Sequence, residues 1–173
     1  MKLVIDTCVL FPTIMRGLIL GVAQTGAFTP IWSPRILEEW SRAAARDGRS
    51  AGVDIALLRD RFPTAEIKTP IRDDLWLPDE NDVHVLATGL HAQADGILTL
   101  NIKDFPTRIL TAHGLLRRDP DGFLLELHAQ DPDPVVNVVQ SVVDQAIRDG
   151  AEMSPRALLK RSKLPRLAKA LYA

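Results

Sequence analysis

A single cysteine, Cys8, occurs in 173 residues, so no intramolecular disulfide can form. A chain of this length buries roughly 70% of its unfolded surface and needs neither disulfides nor a structural metal to fold. A reducing cytoplasm is therefore the expected setting. Long apolar runs are missing too. The first is interrupted at Asp6, and none approaches the ~20 residues that cross a bilayer, so neither a leader nor membrane contact is expected. Aromatic residues make up only 5%, and the tryptophans Trp32, Trp40 and Trp76 read as core anchors, with Trp76 set in a polar stretch. There is no cluster of cysteines and histidines that would suit zinc. His84 and His91, seven apart, are about 10 Å apart on one helix face, too far to share an ion. Internal repeats and low-complexity tracts are also absent.

What is present is an alternation of short apolar strands and helical patterns. Residues 2–5, 28–32, 96–100 and 115–116 read as strands, and 12–25, 34–44, 55–62, 80–92 and 106–112 as helices. Ser33-Pro34 is an N-cap followed by proline at the first helical position, and Gly26 and Gly114 are helix stops. Residues 46–53 and 119–122 read as turns. This alternation predicts an α/β fold: a three-layer α/β/α sandwich on a parallel sheet. The last third reads differently. Residues 135–147 are rich in valine, yet Val135, Val139, Val142 and Ala146 recur at helical spacing, and Ser154-Pro155 and Pro165 each open a further helix. The expected division is a body over 1–130 and a helical extension over 131–173.

Charge is distributed unevenly. All 22 acidic residues precede Ser154, and six basic residues follow it, among them Arg161 and Lys163. Such a tail is either a solvated helix face or a surface for a phosphate backbone.

Four acids in the body fall where strands end or helices begin. Asp6 follows Leu3-Val4-Ile5, Glu39 lies in the helix opened by Ser33, Asp82 sits near the start of 80–92, and Asp104 closes 99–104. In an open α/β sheet these places face one crevice. Each acid alone has a plain reading: Asp79, Asp82 and Asp104 suit helix N-termini, and Glu38 or Glu39 a solvated face. Asp6 is harder to explain that way, because an acid after so apolar a strand is costly to bury unpaired. Together, oxygen ligands without soft partners predict a site for Mg²⁺ or Mn²⁺ and metal-assisted phosphodiester hydrolysis. Ser33 and Thr99 are candidate phosphate contacts, and His84 is close enough to Asp82 to reach substrate.

The segments Val4-Ile5-Asp6-Thr7, Ser33-Pro34 through Glu39, 79–87, and Thr99 through Pro106 resemble the motifs of PIN-domain ribonucleases. More narrowly they resemble VapC toxins of bacterial toxin–antitoxin pairs, over residues 1 to about 120. Gly122-Phe123-Leu124 and Leu164-Pro165-Arg166-Leu167 resemble the helical extension of one VapC subgroup. The resemblance implies Asp6, Glu39, Asp82 and Asp104 as catalytic metal-binding acids, with Glu39 preferred to Glu38. Asp79, Asn101, Thr7 and Thr99 then fall in supporting places, and Ser33, His84, Arg161 and Lys163 are candidate substrate contacts. It further implies Mg²⁺- or Mn²⁺-dependent endoribonuclease activity leaving a 5′-phosphate and a 3′-hydroxyl, a cognate antitoxin, and a homodimer.

Two positions depart from that pattern. Position 8 holds Cys8 in place of a small polar residue, and position 101 holds Asn101 rather than a further acid. A non-catalytic PIN-fold module that binds RNA or protein is the alternative. A haloacid-dehalogenase-type phosphatase would need an aspartate where Cys8 stands, and the paired acids of a response-regulator receiver are not found.

Overall fold

Leu3, Val4 and Ile5 are all buried, as a strand covered on both faces of a parallel sheet requires. The computed structural model describes residues 1–172. In chain order its elements are β1 (Lys2–Ile5), α1 (Thr7–Leu10), α2 (Thr13–Gln24), β2 (Thr29–Ile31), α3 (Pro34–Arg46) and α4 (Gly52–Arg61). A 3₁₀ turn (Glu80–Asp82) leads into α5 (Val83–His91), followed by β3 (Gly96–Leu98), α6 (Thr107–Ala112) and β4 (Leu116–Arg118). Four helices complete the chain: α7 (Pro120–Gln130), α8 (Pro132–Arg148), α9 (Pro155–Arg161) and α10 (Pro165–Leu171).

The strands form one all-parallel sheet in the order β2-β1-β3-β4, flanked by helices. This is the expected α/β/α architecture with C-terminal helices. Val4 pairs with Ile31 on one side and Ile97 on the other. Gly96 permits β4 to approach, since a Cβ there would lie 2.4 Å from the Leu116 carbonyl oxygen. Ser33 caps α3 by accepting from the Ile36 N–H at 3.3 Å, and Ile36, Leu37, Trp40 and Ala44 turn inward. In α5 burial runs through five consecutive residues. Val85 through Gly89 are fully buried, while Val83 and Leu90 keep some exposure. A short helix pressed on a sheet at Gly89, beside Leu115 and Val4, buries most of its circumference.

The chain groups into two compact units, Met1–Phe11 with Phe28–Arg118, and Pro12–Ala27 with the segment from Asp119 onward. The first holds the sheet. The second gathers α2 with α7 to α10, so the helical unit begins before residue 131 and includes a segment from early in the chain. Its sequence explains this grouping. α2 buries Met15, Leu18, Ile19, Leu20, Val22 and Ala23, and its Gly17 and Gly21 face Val142 and Val138 of α8.

Residues 119–122 are not a turn but the start of α7. Asp119 accepts from the Gly122 N–H at 2.8 Å and Pro120 takes the first position. Asp-Pro serves a turn and a helix start equally well, and the apolar run after Gly122 decides for the helix. Within α8 the buried residues are Val135, Val139 and Val143. Asp121 is buried and accepts from the backbone N–H groups of Arg166 and Leu167, both at 3.0 Å, and from Arg166 Nε at 3.1 Å. It thereby caps α10 from another helix. Among the described residues no helix is long and apolar enough to cross a membrane.

Candidate metal centre

β1 and β3 are neighbours, while β2 lies on the other side of β1, so the strand order reverses beside β1 and a crevice opens past the strand C-termini. Asp6 is the first residue after β1 and Thr99 the first after β3. The Asp6 carboxylate is only 6% exposed, and its Oδ2 accepts from Thr99 Oγ1 at 2.6 Å and from Cys8 Sγ at 3.1 Å. Burial first, then the charge of Asp6, pushes the Cys8 thiol up to about 12. Cys8 is thus a protonated donor to Asp6 and not a soft metal ligand, and its sulfur in turn accepts from the Leu100 N–H at 3.3 Å.

Asp79, Asp82 and Asp104 each bring one carboxylate oxygen into a group within 4.8 Å of one another. Local structure places them. Asp79 caps the 3₁₀ turn through bonds from Asn81 N and Nδ2, both 2.9 Å. Asp82 ends that turn where α5 begins, with no side-chain cap bond of its own. Asn101 ties the other two together: its Nδ2 donates to Asp82 Oδ2 at 3.2 Å, and its Oδ1 accepts from the Asp104 N–H at 3.2 Å. Burial, then the charges of Asp6, Asp79, Asp104 and Glu39, pushes Asp82 up to about 7. Among the described residues no lysine or arginine pairs with these three aspartates. An all-oxygen donor set with uncompensated negative charge fits a hard divalent cation.

Glu39 is held differently. Its Oε1 lies 2.7 Å from His84 Nε2 and 3.6 Å from Arg35 Nε, and its Oε2 accepts from Thr7 Oγ1 at 3.1 Å. Nε2 of His84 thus faces the carboxylate, while its Nδ1 is buried without a hydrogen-bond partner. Burial alone would push Glu39 up; His84, with Thr7 and Arg35, outweighs it and holds the carboxyl below its ordinary range.

The family model described as the PIN domain matches residues 2–103, more than half of the chain. The chain belongs to the PIN-domain family. Neither a curated protein nor a solved structure matches it. PIN domains are generally nucleases that use divalent metal ions, and the aspartate group of this PIN domain fits that use. The match takes in Asp6, Glu39, Asp79 and Asp82 and stops one residue short of Asp104.

Of the acids singled out in the sequence, the PIN fold brings Asp82 and Asp104 together, and with them Asp79, which the resemblance put in a supporting place. Asp6 and Glu39 are not among those three, yet both charges register on Asp82, that of Asp6 the most strongly of the four neighbouring acids. Thr7, Thr99 and Asn101 each donate to one of the expected acids. Ser33 spends its hydroxyl on the cap of α3. Arg161 and Lys163 are exposed in the helical unit. Arg35 was not singled out, although its spacing of four from Glu39 on one helix was the available signal.

Proposed function

We propose that this PIN-domain protein is a metal-dependent endoribonuclease and the toxin of a toxin–antitoxin pair, acting in the cytoplasm. The observation that carries the reading is the convergence of Asp79, Asp82 and Asp104 beside the buried Asp6. Mg²⁺ or Mn²⁺, when bound, supplies positive charge to polarise a phosphoryl oxygen and to acidify an attacking water. The residues prepare the place. Thr99 and Cys8 fix Asp6, Asn101 sets the separation of Asp82 and Asp104, and Thr7, Arg35 and His84 hold Glu39 ionised at the edge. RNA is the substrate, with 5′-phosphate and 3′-hydroxyl products, and a cognate antitoxin and a second copy of the chain are the partners that the VapC resemblance supports.

The engagement of Glu39 by three side chains favours one rival, a PIN fold that binds RNA or protein without cutting. Cleavage of total cellular RNA separates them, with Mg²⁺, Mn²⁺ or EDTA and an Asp104→Asn variant alongside. The expected result is metal-dependent cutting that the variant loses by roughly 100-fold or more. Wild type as inert as the variant in both metals, with no antitoxin co-purified, would favour the rival.

A further inference from the structure

Between residues 68 and 78 the chain has no regular structure, yet with the start of α3 and the start of α5 it walls a groove of about 870 Å³. Arg35 and His84 line this groove, and both touch Glu39, so the groove adjoins the edge of the acidic centre. Its other side presents large apolar side chains to solvent: Trp76 is 64% exposed and Ile71 90%, whereas Trp32 and Trp40 are buried. An open indole in a chain so poor in aromatic residues calls for an occupant.

His84 is a second, independent sign. Its side chain is 10% exposed and lines the groove; Nε2 is taken by Glu39 at 2.7 Å, and Nδ1 has no hydrogen-bond partner. Buried polar groups are normally satisfied, so the unpaired Nδ1 points to a polar ligand at this wall. The charges narrow the class. Arg35, Lys68 and Arg72 are balanced by Glu38, Asp73 and Glu80, which is not how a track for a run of phosphates is built. Arg72 is further engaged by Asp74, and Glu38 by Arg42. Lys68, Asp73 and Glu80 remain as donor and acceptors around an aromatic face, the equipment that reads a base edge. A groove for an amphipathic helix would instead be apolar along its length.

We infer that this groove is a base-binding subsite: it takes an unpaired RNA base next to the phosphate held at the acidic centre, stacked on Trp76. The inference rests on the nucleic-acid reading proposed above and deepens it, making Trp76 a determinant of where the RNA is cut.

The test is binding in EDTA, where no cutting intervenes, of a labelled single-stranded RNA and of an abasic ribose-phosphate strand of equal length. Trp76→Ala is expected to weaken binding of the base-bearing RNA by about tenfold or more. The abasic strand should be indifferent to it, and Trp76→Phe should retain most of the affinity. Because Trp76 is exposed, the melting temperature of Trp76→Ala should equal that of the wild type. Equal binding of base-bearing and abasic strands would overturn the subsite, as would unchanged affinity in Trp76→Ala. Quenching of Trp76 fluorescence by an amphipathic helical peptide but not by RNA would give the groove to a protein partner and overturn it too. Metal-dependent cleavage with unchanged RNA affinity in Trp76→Ala would overturn the subsite alone. Trp76-dependent binding without any cleavage by the wild type would support the subsite and remove the nuclease.

Discussion

At the scale of single residues, Asp82 is where the crowding of negative charge is concentrated. Its carboxyl, pushed up to about 7 in the fold, titrates near 4 in an unfolded chain. The native state therefore holds the extra proton between about pH 4 and pH 7, and without metal its stability falls as pH rises through that window. Asp82→Asn removes this slope, so in EDTA the variant is expected to melt above the wild type at pH 8, with the difference closing toward pH 4. Salt should shrink the gap, since the group is half-exposed. Thermal melts at both pH values check this; a wild type that gains stability from pH 5 to pH 8 relative to the variant would contradict it. Much of this residue scale was legible in the sequence. Asp6 stood out because an acid after so apolar a strand is expensive without partners, and Asp82 and Asp104 through their places at strand ends and helix starts and the PIN resemblance. That Asp79 joins Asp82 and Asp104, while Glu39 is held by His84, was not legible. Both depend on how the 3₁₀ turn at Glu80–Asp82 and the first turn of α5 aim their side chains.

Among the elements, the contact of α2 with α8 is set by a missing side chain. A Cβ on Gly21 would lie 2.6 Å from Val138 Cγ1. Gly21→Ala should add about 1 kcal/mol of helix propensity, yet overpacking against a stiff valine costs about 1–3 kcal/mol, so the variant is expected to be less stable. Gly21→Ala combined with Val138→Ala should recover part of the loss, and urea titration of the three variants measures it. Asp121 provides the second case. Replacing it with alanine leaves the Arg166 and Leu167 N–H groups of α10 and Arg166 Nε without their acceptor, while Arg166 Nη2 keeps Asp119, at a cost of about 2–3 kcal/mol by chemical denaturation. Asp121→Asn should cost less. The helices from Ser33-Pro34, Ser154-Pro155 and Pro165 were readable from their caps. α7 was not, because Asp119-Pro120 serves a turn and a helix start equally well and the run after Gly122 had to decide between them. The two segments that resembled the VapC extension, at 122–124 and 164–167, adjoin the clamp of Asp121 on Arg166.

For the whole molecule, alternating strand and helix patterns were enough to give the parallel sheet and its α/β/α layers. They could not give the grouping of α2 with α7 to α10, which depends on long-range complementarity between glycine and valine faces. The irregular stretch 68–78 was equally opaque, since nothing in its periodicity announces a groove. The PIN-domain match and the convergence of carboxylates both direct attention to one centre. The proposed function requires that Asp79, Asp82 and Asp104 hold a divalent cation. Calorimetric titration of the chelator-treated protein with Mn²⁺ at pH 8 tests it most directly, with Asp82→Asn and Asp104→Asn alongside. The expected result is saturable binding by the wild type that each variant weakens by about tenfold or more, and that fades below pH 7 as Asp82 takes up its proton. Absent binding, or equal binding by wild type and both variants, would contradict it.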